Sequence, residues 1–178
     1  MQEEIKELNP LAYKPVGKLL KSLAIPAIIA NLVSALYNVV DQIFIGQGIG
    51  YLGNAATNIA FPITTMCLAI GLTLGIGGAS NFNLELGKGY PEKSKHTAGT
   101  AASTLIIIGI ILCITVRIFL EPLMIGFGAT DKILEYSMEY TGITSYGIPF
   151  LLFSIGVNPL VRADGNAKYS MIAIVIGA

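Results

Sequence analysis

Four stretches of this chain run for 18 residues or more without a single Asp, Glu, Lys, Arg or His: 23–40, 53–84, 97–116 and 140–161. Crossing about 30 Å of hydrocarbon takes roughly 20 helical residues at about 1.5 Å each. Each run is therefore of spanning length, and each is rich in aliphatic residues. Over the whole chain 12% of residues are charged and 53% are apolar, whereas a soluble domain carries charge on about a quarter of its residues. Lipid is the solvent that this balance implies. A membrane barrel would alternate apolar and polar residues in segments of about 10, and these runs are continuous. With no water in the bilayer core, each segment must satisfy its backbone donors and acceptors internally, as a helix does.

The runs predict an all-α, polytopic membrane helix bundle. After an amino-terminal segment over 1–18, helices are expected near 19–45, 53–84, 96–119 and 132–160, with a truncated fifth at 168–178. The segments 46–53, 87–96, 121–139 and 162–168 have the composition of water-facing turns. Residues 1–9 mix acids, Lys6 and polar groups, so no cleavable leader is expected. Orientation follows from the basic residues. Lys6, Lys14, Lys18, Lys21, Lys88, Lys93, Lys95, Arg162 and Lys168 fall on one side of the alternating connections, and only Arg117 and Lys132 on the other. Nine against two predicts a plasma (inner) membrane protein with a cytoplasmic amino terminus. The formal net charge of zero gives no basic field for nucleic acid.

Polar residues inside the spans are the candidates for function. Asn31, Ser34, Asn38 and Asp41 are spaced 3, 4 and 3 apart, and with Tyr37 they share one face of the first helix. Such a stripe, ending in a carboxylate, is expected to face a cavity or the bundle interior, where an ionisable group is a candidate for ion or proton handling. The alternative is an aspartate solvated at a helix end, since Asp41 lies about 30 Å along the helix from Lys21. Asn54, Asn58 and Thr65 share a face of the second helix, and Ser154 and Asn158 lie in the fourth. For any one of these, an interhelical hydrogen bond is the competing reading.

The small residues Gly71, Gly75, Gly77, Gly78, Ala79 and Ser80 favour close helix approach. Their GxGxxS pattern is no dinucleotide loop, because no strand precedes it. Cys67 and Cys113 sit in apolar runs without metal-ligand spacing and are expected to pack. The single histidine, His96, has no catalytic partner, and no enzymatic motif is present. Pro26, Pro62, Pro149 and Pro159 interrupt the runs. Pro149 is expected to be the hinge, the other three to mark first turns or helix ends.

Several segments together, in order and spacing, resemble the multidrug and toxic compound extrusion (MATE) family. They are Tyr37-Asn-Val-Val-Asp41-Gln-Ile-Phe-Ile-Gly46, Leu52-Gly-Asn-Ala-Ala56 with Phe61-Pro62-Ile63, Leu86-Gly87-Lys-Gly89, Phe127-Gly-Ala-Thr130 with Tyr136 and Tyr140, and Arg162-Ala-Asp-Gly165. The resemblance implies half of a two-lobe, twelve-helix transporter fold, with the second lobe of the parent chain as partner besides the bilayer and a small-molecule substrate. It implies antiport of drug-like or cationic amphipathic compounds against H+ or Na+, with no other cofactor. Asp41 matches the family's ion-coupling aspartate and is the one expected Na+ site; Ser34, Tyr37, Asn38 and Asn158 are expected to line the cavity. A flippase for lipid-linked precursors shares this architecture and would favour a basic cavity. A fragment that only packs against partner helices is the third reading.

Overall fold

The computed structural model describes residues 15–177, and among these all regular structure is helical. In chain order the helices are α1 (Val16–Gly48), α2 (Tyr51–Gly87), α3 (Pro91–Ile118), α4 (Leu120–Gly126), α5 (Asp131–Thr144), α6 (Ile148–Ala163) and α7 (Ala167–Gly177), with a 3-10 turn, Ser145–Gly147, joining α5 to α6. Four segments are long and apolar enough to cross a bilayer: α1, α2, α3 and the continuous span Asp131–Ala163. The chain is a multi-pass membrane protein.

These helices overrun the charge-free runs. Lys18 and Lys21 lie in the first turns of α1, Glu85 near the end of α2, and Glu92, Lys93 and Lys95 in the first turns of α3. Long charged side chains at helix ends keep their stems along apolar surface and their heads in water. Of the expected amino-terminal segment 1–18, residues 1–14 lie outside the described part, as does Ala178 at the end of the expected fifth helix. Residues 120–126, expected to begin a turn around Glu121, instead form α4, which lays Met124 into the core.

The prolines fall differently from expectation. Pro26, Pro62 and Pro159 lie inside α1, α2 and α6, so they are interior residues rather than end markers. Pro149 stands just after the 3-10 turn. A proline at 149 has no N–H for the Ser145 carbonyl four residues back. The Ile148 N–H bonds that carbonyl instead, at a separation of three residues, and the span tightens into 3-10 geometry there.

The core is a three-way packing of α2, α3 and the fourth span. Leu105, Met124, Leu152 and Cys67 are fully buried in it, with Ile63, Val116 and Ile148 around them. Small residues set the helix separation. Gly71, Gly75 and Ala79 form a buried row on α2, Gly75 lies directly on the backbone of Gly156 in α6, and Gly109 of α3 lies against Pro149. A second cluster, Ala79, Phe82, Leu160 and Ala163, closes the end near the α2–α3 turn. Helix α1 stands apart from this core, packing mainly along α7 and meeting α2 near their shared turn.

Three helices end on glycines in left-handed conformation: Gly89 (φ 81°) follows α2, Gly128 (φ 96°) follows α4 and Gly165 (φ 86°) follows α6. Tyr90 N–H bonds the Glu85 carbonyl and Gly89 N–H that of Leu86; Asn166 N–H bonds Val161 and Gly165 N–H bonds Arg162. These are Schellman closures, which satisfy the last carbonyls of a helix. Gly165→Val is expected to cost about 1–2 kcal/mol by forcing a β-branched residue into that conformation. Thermal unfolding of the full-length protein in detergent checks this, against Gly99→Ala, where open space predicts no loss.

Candidate functional site

The polar face of α1 carries the expected site residues in graded exposure. Asn31 is exposed, Ser34 half-buried, Tyr37 and Asn38 exposed, and Asp41 half-buried. Asn38 folds back on its own helix, Nδ2 donating to the Ser34 carbonyl at 2.8 Å, which leaves its amide oxygen free as an acceptor. Tyr140, on α5, stands within electrostatic reach of both Asp41 and Tyr37. Among the described residues no Lys, Arg or His lies within ion-pair distance of Asp41; the ion pairs are Lys88–Glu85 and Lys95–Glu92, at the opposite end of the bundle. Among the described residues Asp41 thus has Tyr37 one helical turn back on the same face and no compensating cation. Carboxylate and neutral oxygens are the donors that hold sodium in transporters.

Two spaces border these helices. An open groove at the α1–α2 corner is lined by Val39, Ile43 and Gly46 together with Asn38, Gln42, Gln47 and Asn54. Across it the Thr57 hydroxyl donates to Gln42 Oε1 at 3.4 Å, and Asn54 Oδ1 is buried without a hydrogen-bond partner. Between α2 and α5 lies a cavity of about 80 Å³ lined by Thr64, Cys67, Tyr140, Thr141, Thr144 and Ser145 among others. At about 30 Å³ per molecule it has room for two waters. Tyr140 is part of the wall of this space.

Asn158 is not part of this group. It lies 18 helical residues beyond Tyr140, about 27 Å along the span, and its Oδ1 accepts the Ser170 hydroxyl of α7 at 2.6 Å. Arg162 Nε donates to the same hydroxyl at 2.9 Å, so Asn158 belongs to a polar tie between α6 and α7. On α2, Asn58 and Thr65 bond the carbonyls of Asn54 and Phe61 in their own helix.

Sequence reasoning did not assign Tyr140, Gln42 or Thr57 to the site. The spacing of Tyr136, Tyr140 and Thr144 marks a polar face on α5 and was the available signal for Tyr140. Gln42 and Thr57 meet only through the fold of the α1–α2 corner, and no spacing announces them.

Comparison with known proteins decides the family. The MatE family profile matches residues 26–178. This chain belongs to the MATE family. Its relatives include the FAD transporter of Shewanella oneidensis, 25% identical over 98% of this chain and 38% of that protein. The multidrug export protein MepA of Staphylococcus haemolyticus is 24% identical over 90% of this chain and 35% of that protein. Among solved structures, the MATE multidrug transporter DinF-BH superposes with a TM-score of 0.84 at 35% identity, over 90% of this chain and 36% of that one. The MATE chain thus spans a little over a third of its relatives' length, and its helices correspond to part of one half of the twelve-helix fold.

Proposed function

We propose that this MATE chain is the opening part, over 19–178, of the first lobe of a cation-coupled exporter of amphipathic, often cationic compounds. Its amino terminus is cytoplasmic on this reading, in accord with the nine-to-two division of basic residues. The later helices of the lobe and the second lobe are its partners in the membrane.

Asp41 carries the reading. It is a half-buried carboxylate in a membrane-spanning helix, one turn from Tyr37, within electrostatic reach of Tyr140 and without an ion-pair partner among the described residues. An uncompensated charge there attracts a proton or a sodium ion. Neutralised, it no longer holds the outer half of α1 toward water, so the ion-bound and ion-free states favour different packings of α1. A substrate that prefers the other packing is then coupled to the ion, because each ligand shifts the equilibrium only by its differential affinity.

Two of the relatives are a multidrug export protein and a multidrug transporter, which supports a drug-like cargo, while a third transports FAD. The test is efflux of a fluorescent cationic dye from proteoliposomes holding the full-length protein. Efflux is expected under an imposed H+ or Na+ gradient and to stop when ionophore collapses it; efflux indifferent to both gradients overturns the proposal.

A further inference from the structure

The fourth span breaks its helical pattern at Ser145–Gly147, one turn beyond Tyr140, and a single side chain from α3 bridges the break. Arg117 Nη1 donates to the Gly142 carbonyl at 3.0 Å, on the α5 side. The same guanidinium lies 4.1 Å from the ring centroid of Tyr146, inside the 3-10 turn. The Gly142 carbonyl also accepts the Ser145 hydroxyl at 2.8 Å, so the last turn of α5 is held from within and from α3. Among the described residues Arg117 has no carboxylate partner; both ion pairs involve other groups. Its polar contacts are those that bridge the turn.

Helices hinge where their hydrogen-bond ladder is interrupted, and Pro149 interrupts this one. The segment beyond the break, α5, carries Tyr140 and borders the α2–α5 cavity that Tyr140 lines. Whatever sets the angle of α5 therefore sets the place of the Tyr140 hydroxyl against the carboxylate. We infer that Arg117 is a positioning residue, a clamp across the fourth-span break that fixes α5 and thereby holds Tyr140 at the ion site. The planar guanidinium stacks with its face and donates with its edge, a combination that an ammonium cannot make. The inference rests on the proposed ion coupling at Asp41, and the experiment separates the two.

Spin labels placed at Ser103 on α3 and Asp131 at the far end of α5, in full-length protein with Cys113→Ala, report the angle of α5. A narrow distance distribution is expected for the parent and for Tyr146→Phe, which keeps the ring. A broadened or shifted one is expected for Arg117→Lys and Tyr146→Leu. In dye efflux, Arg117→Lys is expected to raise the half-saturating concentration of the coupling cation by roughly fivefold or more, the lower end of ordinary site-to-site coupling, with the maximal rate little changed. Tyr146→Phe is expected to behave as the parent.

Arg117→Lys keeps the charge and Tyr146→Leu leaves Arg117 in place, so a folding failure in one leaves the other to decide. An unaltered distance distribution in both variants overturns the clamp. A fall in maximal rate with unchanged half-saturation overturns the positioning role and leaves Arg117 a structural residue only. A parent protein whose efflux ignores every cation gradient overturns the coupling proposal, and the role at the ion site with it, while the distances still decide the clamp.

Discussion

Asp41→Asn in the full-length transporter is expected to abolish gradient-driven efflux while leaving substrate binding measurable. The amide keeps the size of the side chain and, like the protonated acid, both accepts and donates hydrogen bonds, but it carries no charge for an ion to neutralise, so ion binding no longer distinguishes the two packings of α1. Coupling between sites in such systems is typically about 5–150-fold in affinity, and all of it should vanish. Substrate affinity measured with and without the coupling cation should become equal in the variant. Asp41→Glu, which restores the charge on a longer stem, should recover part of the effect. Tyr37 shares the helix face of Asp41 and Tyr140 lies within electrostatic reach of it, and their removal should weaken ion binding without eliminating it. Full efflux by Asp41→Asn would contradict the reading.

Gly75→Leu is expected to prevent folding. A Cβ at Gly75 would stand 2.8 Å from Gly156 Cα and closer still to its carbonyl oxygen, so the obstacle is backbone and cannot rotate away. Overpacking a core usually costs about 1–3 kcal/mol when side chains can shift; here the two helices themselves must separate, and the loss should exceed that range. Gly77, two residues on, meets nothing within 4 Å, and Gly77→Ala should be neutral or stabilising by up to about 1 kcal/mol through helix propensity. The pair is read by the monodisperse yield and melting temperature of the full-length protein in detergent. Equal behaviour of the two variants would show that the α2–α6 contact does not hold the bundle together.

The four spans were legible because a charge-free run of about 20 residues is a property of the chain itself and leaves the backbone no alternative to a helix. Their ends were less legible, since Lys18, Lys21, Glu85 and Lys95 are accommodated within helices whose termini reach the water. Helix α4 is seven residues long and carries Glu121 and Pro122, too short for periodicity to register. Pro26, Pro62 and Pro159 stay inside helices because neighbouring groups in a bundle compensate the lost bond, and a single sequence does not show the neighbours. The same limit shapes the site. Asp41 and Tyr37 share a helix turn and declare themselves by spacing, whereas Tyr140 arrives from about a hundred residues away. Asn158 sits in the same span as Tyr140, and counting 18 residues at about 1.5 Å each separates it from Asp41. In the sequence Arg117 enters only as one of the two basic residues on the minority side, and the fold gives it Gly142 and Tyr146 as contacts.

The most direct test of ion coupling at Asp41 is cation flux driven by the substrate, in proteoliposomes reconstituted with full-length protein at equal density. With no ion gradient imposed, a substrate gradient is applied and uptake of labelled sodium, or of protons by an internal pH dye, is followed. The account predicts flux of one of these cations opposite in direction to the substrate in the parent protein, and none above empty vesicles in Asp41→Asn. Equal flux in the two proteins would contradict it.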